Sequence, residues 1–354
     1  MAAAANLPKF SAHPIVQAPM AGGAANPRLA AAVAASGGFG FLAAGYKTPE
    51  AMYEEIRQLR DQSTQPFGVN VFLPQPAATD PSAVAVYAEQ LAGEEAWYGV
   101  PLGDPEAGLD DAYEAKVAIL LEDPVPLVSF TFGCPARAVL DAFRKAGTYT
   151  VVTATTVAEA QAAEAAGADA VCVQGMEAGG HRGTHRDEPL LDGTGDGLLA
   201  LLPQVREAVA LPLTAAGGLM RGGQVAAVLA AGADAAQLGT AFLVCPESGA
   251  SPLHKQALTD PVFTRTEMTR AFSGRPARGL VNRFVREHGP YAPPGYPQIH
   301  HLTAPLRKAA AAAGDAQGMA LWAGQGHRLA REESAGRLVE LLVEEMRAAR
   351  EVAA

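Results

Sequence analysis

The chain has 354 residues, 49% hydrophobic and 18% charged, which is enough apolar material for a large core and too little charge for disorder. A formal net charge of −10 and a pI near 5.3 argue against nucleic acid or an anionic membrane as partner, while leaving room for a small anion in a locally basic pocket. Three cysteines, Cys134, Cys172 and Cys245, lie far apart in apolar stretches and read as reduced core residues. MAAAANLPKF has no basic region leading into an apolar one, and no apolar run is of membrane-spanning length, so a cytoplasmic location is expected. The oligomeric state, monomer or homodimer, stays open.

Strand-like and helix-like segments alternate from the start. Pro14–Ala18 reads as a first strand, and Asn26-Pro27 as the cap and first turn of an alanine-rich helix ending at Gly37-Gly38. Phe39–Ala44 is a second strand, Thr48-Pro49-Glu50 opens a second helix, and Phe67–Phe72 is a third strand carrying Asn70 near its end. Residues 74–111 break the rhythm and read as an insertion with some helix. The alternation resumes with strands at Leu127–Phe130, Tyr149–Thr153, Ala170–Val173, Leu213–Ala216 and Ala235–Leu238. Helices follow through Lys145 and over Thr156–Ala166, Gly197–Val209 and Gln224–Ala231. The join AAGADA occurs at Ala165–Ala170 and again at Ala230–Ala235, each time with a glycine placed to end a helix in a left-handed cap.

Beyond Val244 the pattern changes. Ser248–Thr266 reads as helical, 272–279 as a turn-rich basic loop, and 332–349 as an amphipathic helix with Leu338, Leu341, Leu342 and Met346 on one face. Eight strands buried on both faces and separated by helices predict an α/β fold, a closed (β/α)8 TIM barrel, with an open doubly wound sheet as the alternative. The barrel takes residues 1–73, 112–250 and 325–354. A second, smaller, mostly helical substrate or cap domain takes 74–111 and 251–324.

The polar and glycine-rich residues fall just after strands: Met20-Ala21-Gly22, Asn70, Thr131, Gln174 to His181, Gly217-Gly218 and Gly239-Thr240. In a barrel those strand ends share one face, where ligands bind. Glycine loops after the seventh and eighth strands suit a phosphate held by exposed amides, so a phosphorylated cofactor is expected there. Gln174–Gly183 holds His181 among glycines, and reads either as a flexible surface loop or as a ligand-facing one. No group has metal-ligand spacing, and there is no serine nucleophile elbow.

The segments APMAGG (18–23), FGVNVF (67–72), VCVQGMEAGGHRG (171–183), TAAGGLMRGG (214–223) and AQLGTAF (236–242), taken in order, resemble the nitronate monooxygenases, formerly called 2-nitropropane dioxygenases; SGRPARGLVN and HHLTAPLR resemble that family's bacterial class. The resemblance implies an FMN enzyme on a TIM barrel. FMN would be held by Asn70, Gln174, Gly179, Gly217, Gly218, Gln237, Leu238, Gly239 and Thr240, with Met20, Ala21 and Gly22 along its ring system and His181 as the active-site histidine. It further implies oxidation of alkyl nitronates such as propionate 3-nitronate with O2, through one-electron transfer to flavin, to a carbonyl compound and nitrite. His181 would either take a proton from a neutral nitroalkane or pair with nitronate oxygens, the second being preferred for a substrate that arrives ionised.

A carboxylated nitronate needs another cation, for which Arg182, Arg275, Arg278 and Lys308 are candidates. Tyr291, Tyr296, His300 and His301 are candidates for the cap side of the pocket. Thr131 stands where some members of the family have a histidine, which weakens any two-histidine mechanism. An FMN-dependent enoyl-acyl-carrier-protein reductase has a similar E-A-G-G-H loop and is the nearest alternative. An NAD(P)H:quinone reductase or a catalytically silent FMN-binding module are the others.

Overall fold

The computed structural model describes residues 10–75, 80–187 and 195–353; the first nine residues, read above for a leader pattern, and part of the 74–111 insertion lie outside them. Eight parallel strands form one sheet: β1 (Ile15–Gln17), β2 (Gly40–Ala43), β3 (Phe67–Phe72), β4 (Leu127–Thr131), β5 (Tyr149–Ala154), β6 (Ala170–Gln174), β8 (Leu213–Ala216) and β9 (Ala235–Leu238). Their order is β1-β9-β8-β6-β5-β4-β3-β2. The ring closes because the Gln17 N–H donates to the Phe39 carbonyl and the Phe39 N–H to the Ile15 carbonyl, each at 2.9 Å. A closed barrel, not an open sheet, is therefore the architecture.

Alternation along the strands separates two cores. Val16, Phe41, Val151, Ala170, Cys172 and Ala216 fill the barrel interior, while Ile15, Leu42, Val69, Val128, Val152 and Val173 face outward to the helices. Gly68 is required by this filling. A Cβ there would lie 2.3 Å from the Phe41 ring, so a bulkier residue would push the ring out of the barrel. The surrounding helices start where the sequence supplies caps. Asn26 accepts from the Leu29 N–H at the head of α1 (Pro27–Ala35), and Thr48 accepts from Ala51 at the head of α2 (Pro49–Gln62). Both AAGADA joins work alike. Gly167 and Gly232 take left-handed φ values of 95° and 106°, and Asp169 and Asp234 then accept the backbone N–H groups of Thr150 and Leu213 at 2.8 and 2.9 Å.

The inserted segment forms α3 (Pro81–Gln90) and α4 (Ala92–Tyr98), and α5 (Tyr113–Glu122) leads into β4. Helices α6 (Arg137–Lys145), α7 (Val157–Ala166), α8 (Leu198–Ala208) and α9 (Gly222–Ala230) continue the ring. After β9 comes only the short α10 (Thr240–Leu243). The eighth place is taken by α14 (Ala335–Ala353), which packs against α1 and α9 and buries Leu338, Val339, Leu342, Val343 and Met346. Leu341, expected on that face, is only half-buried.

Between α10 and α14 the chain crosses the barrel mouth as α11 (Pro252–Thr259), β10 (Thr266–Thr269), β11 (Ala277–Leu280), α12 (Arg283–His288) and α13 (Gln298–Ala312). The helix expected over 248–266 is thus shorter, and the expected basic loop ends in a strand. Val84, Tyr87 and Leu91 of the insertion share one apolar cluster with Phe272, Phe284, Ile299, Leu302 and Leu306. Among the described residues no helix is long and apolar enough to cross a membrane.

Candidate active site

The glycine-rich loop after β6 is not a free loop. Gly180–His181 forms β7, a short strand paired antiparallel with β11, so that His181 lies opposite Ala277. The loop is tied at several points. Gln174 accepts the Gly183 N–H at 2.8 Å and donates to the His181 carbonyl at 3.1 Å, Arg182 N–H donates to the Pro276 carbonyl at 2.8 Å, and the Glu177 carboxylate accepts the Leu198 N–H at the head of α8. Thr131, Phe132, Gln174, Gly179 and Trp322 then surround the histidine in a cavity of about 420 Å³ at the carboxyl ends of the strands, the size range of ligand sites.

Met20, Ala21, Gly22, Asn70, Gln174, Gly179, His181, Gly217, Gly218, Gln237, Gly239 and Thr240 all line this cavity. Leu238 does not; its side chain is buried among the barrel helices. The barrel order puts the glycine loops of β8 and β9 across the mouth from the ends of β2, β3 and β4. On the first side, Gly217 and Gly218 take φ values of 132° and 69°, and a Cβ on Gly239 would point at Ala18 and Met20, 3.5 and 3.8 Å away on the cavity wall. That side of the cavity is walled by glycine backbone, a cradle with little side chain in it. On the other side, Asn70 Nδ2 donates to Ser129 Oγ at 2.9 Å and Thr131 Oγ1 at 3.0 Å, so Thr131 is a hydrogen-bond acceptor.

His181 is ringed by Phe132, Tyr296 and Trp322, with centroids 5.5–5.7 Å away. Burial, with Arg275 and Arg307 adding, pushes its pKa down to about 3, so it is neutral at pH 7. His181 Nε2 and the Ser273 hydroxyl share a hydrogen bond at 2.9 Å, and the same hydroxyl lies 3.2 Å from the Arg275 carbonyl. A neutral imidazole offers one N–H donor and one lone pair to this site.

The four cations expected to meet a carboxylate are engaged elsewhere or face away. Arg182 donates to the Gln174 carbonyl, Arg275 to Gln75 and Thr184, and Arg278 to the Met176 carbonyl, while Lys308 is exposed. The cation lining the cavity is Arg307, one residue from Lys308. Its Nε donates to Thr303 Oγ1 at 3.2 Å and Nη2 to the His300 carbonyl at 2.7 Å. Among the described residues it has no carboxylate partner, and burial pushes its pKa down to about 10. The helical spacing 300, 303, 307 was the available signal, since residues three and four apart share a face.

Of the candidate cap residues, His300 lines the cavity and Tyr296 touches His181, while Tyr291 is exposed and His301 lies outside the lining. Sequence reasoning also missed Trp322 and His254; His254 donates to the Trp322 carbonyl at 3.0 Å and burial lowers its pKa to about 4. Glu94, Glu287 and His288 sit close enough to share a metal, but the Arg283 guanidinium already donates to both carboxylates, at 2.5 and 2.8 Å.

A parallel eight-stranded barrel with a glycine cradle, a half-buried neutral histidine and a half-buried arginine without a carboxylate partner among the described residues at one mouth defines a (β/α)8-barrel enzyme. The chain belongs to the nitronate monooxygenase family, whose model matches residues 5–345, and is an oxidoreductase. Nitronate monooxygenase of Pseudomonas aeruginosa is 42% identical over 344 residues, covering 95% of this chain and 96% of that protein. The crystal structure of nitroalkane oxidase from Streptomyces ansochromogenes is similar with a TM-score of 0.96 and 67% identity, covering 98% of this chain and 99% of that one. FabK from Thermotoga maritima is similar at a TM-score of 0.71 and 27% identity, covering 97% of this chain and 95% of that one.

Proposed function

We propose that the chain is a flavin-dependent enzyme that oxidises alkyl nitronates with O2 to a carbonyl compound and nitrite, and that it also accepts neutral nitroalkanes. The observation that carries the reading is the pairing, in one cavity, of an uncompensated buried Arg307 with a neutral His181. FMN fits the cradle by its chemistry. Its phosphate would lie on the amides of Gly217, Gly218, Gly239 and Thr240, and its ring system along Met20, Ala21 and Gly22, with Asn70, Gln174, Gly179 and Gln237 around it. When bound, the flavin supplies the electron acceptor that these side chains lack.

A nitronate brings a negative charge into a largely apolar cavity, and Arg307 meets it there. His181, kept neutral by burial, can give the nitronate oxygens a hydrogen bond at most, so the charge is met by Arg307. For a neutral nitroalkane, the neutral His181 imidazole accepts the proton from the carbon bearing the nitro group. The anion formed is held by Arg307, which offsets the low basicity of the buried imidazole. The nitroalkane oxidase at 67% identity supports this second substrate form. Residues 74–111 and 251–324 would act as one cap closing over the site, a division supported by their shared apolar cluster.

The test is an anaerobic spectrum of the flavin-loaded protein mixed with a nitronate, with the parent nitroalkane, and with NADH or NADPH. Bleaching by the nitro compounds alone supports the proposal. Bleaching by a pyridine nucleotide alone overturns it in favour of a reductase. Replacing His181 with Asn should abolish bleaching by the nitroalkane and spare that by the nitronate.

A further inference from the structure

A second cavity of about 370 Å³ lies against the β2–β4 side of the mouth, lined by Lys47, Gln75, Leu109, Asp111, Tyr296 and His301 among others. Tyr46, Phe72 and His300 line both cavities, so they form the partition between them. The partition is built of stacked rings. Tyr46 lies flat on His300 with centroids 4.0 Å apart and an 8° interplanar angle, Phe72 meets Tyr46 edge-on at 5.5 Å, and the Tyr296 hydroxyl donates to that of Tyr46 at 3.2 Å.

Backbone strain gathers around the same partition. The non-glycine residues with left-handed φ among those described are Tyr46, Asp111 and Ala112, which line the second cavity, and Phe132, which lines the first. Such conformations cost free energy and tend to persist where function needs a side chain held in place. The means of holding Tyr46 is visible. Asp111 Oδ1 accepts the Tyr46 N–H at 2.9 Å, and Oδ2 pairs at 2.8 Å with Lys116, whose side chain is wholly buried. On the Phe132 side, Gln75 Nε2 donates to the Phe132 carbonyl at 2.8 Å while its Oε1 accepts from Arg275 at 2.7 Å. With Asp111 compensated by Lys116, and Asp110 exposed, the inner lining presents rings and amides to a passing solute rather than uncompensated charge.

We propose that this second cavity is the passage by which the small nitro compound reaches His181 and Arg307, and that Tyr46, pinned by Asp111, is the wall that sets how large an alkyl group passes. The proposal rests on the function argued above. With FMN on the Gly217–Gly218 and Gly239–Thr240 side, the end of the main cavity left to the substrate would be the one bounded by Tyr46, Phe72, Phe132, His300 and Arg307. That end is the one against which the second cavity abuts. Tyr46, Asp111 and Lys116 are thus positioning residues.

The experiment uses Leu109→Trp, a residue that lines only the second cavity, with Leu109→Ala as companion. Flavin-loaded proteins of matched thermal stability are mixed anaerobically in a stopped-flow with nitronates of increasing alkyl length. A blocked passage lowers the second-order rate of bleaching by about tenfold, within the range over which association rates vary among variants of one site. The loss grows with chain length, and the limiting rate at saturation is unchanged. Leu109→Ala keeps or raises the second-order rate. An unchanged second-order rate in Leu109→Trp, or a fall in the limiting rate instead, overturns the passage. No bleaching of the unsubstituted protein by any nitronate would remove the underlying function, and the passage with it.

Discussion

Replacing Arg307 with Met separates stability from function with opposite signs. The guanidinium is half-buried and, among the described residues, has no carboxylate partner, so the folded state bears its desolvation with the Thr303 and His300 oxygens in return. Those oxygens are not orphaned by its removal. The Thr303 hydroxyl still donates to the Phe272 carbonyl at 2.6 Å, and the His300 carbonyl belongs to helix α13. A buried charge exchanged for an apolar chain of similar length is often neutral or stabilising. Arg307→Met should therefore unfold in urea at the same or a higher midpoint. Its activity should fall, because a hydrogen bond to a charged group contributes about 1.5–3 kcal/mol. At about 1.4 kcal/mol per factor of ten, kcat/KM for a nitronate drops about 10- to 150-fold. Arg307 also lowers the His181 pKa, so with a neutral nitroalkane, where His181 acts as base, the variant's activity should fall off toward acid at a higher pH than the parent's. The assay is steady-state oxygen consumption across nitronate concentration and pH, with urea titration alongside. A kcat/KM within about twofold of the parent, with FMN bound, would refute the role, as would a large loss of stability.

Acid should destabilise the apoprotein through its buried histidines. His181 and His254 have folded pKa values lowered to about 3 and about 4 from 6.5, so the unfolded chain binds their protons first; stability is full above about pH 6.5 and falls as pH drops toward about 4. Each group contributes a slope of about 1.4 kcal/mol per pH unit at most, and His254→Gln, measured by urea unfolding, should flatten the profile. Gly239 has ordinary backbone angles, and a Cβ there meets only normal contacts, so Gly239→Val should fold. Its branched side chain would fill the cradle, and the purified protein should lose most of its yellow colour; full flavin retention would move the phosphate elsewhere.

Local patterning made the barrel legible. Alternating apolar runs, Asn-Pro and Thr-Pro caps and the paired AAGADA joins are rules of neighbouring residues, and each predicted strand appears within a residue or two of its expected place. The same rules located the glycine cradle, because glycines that must approach a ligand sit at fixed offsets from strand ends. They failed where a residue's role depends on a distant partner. His181 reads as a loop residue until β11, almost a hundred positions away, pairs with it. Arg182, Arg275 and Arg278 look like free cations until backbone carbonyls and side chains from other segments accept their hydrogen bonds.

The sequence by itself determined the (β/α)8 barrel, the mouth at which ligands gather, and the family. Tertiary structure alone decided which cation faces the cavity, the protonation of His181, and the wall of Tyr46, Phe72 and His300 that divides the mouth into two chambers. The reason is physical: strand and cap signals are set by backbone geometry over a few residues, whereas charge state depends on how completely water is excluded. That exclusion depends on residues far apart in the chain, such as Tyr46, Phe132, Tyr296 and Trp322, meeting around the cavity, and no short stretch encodes it.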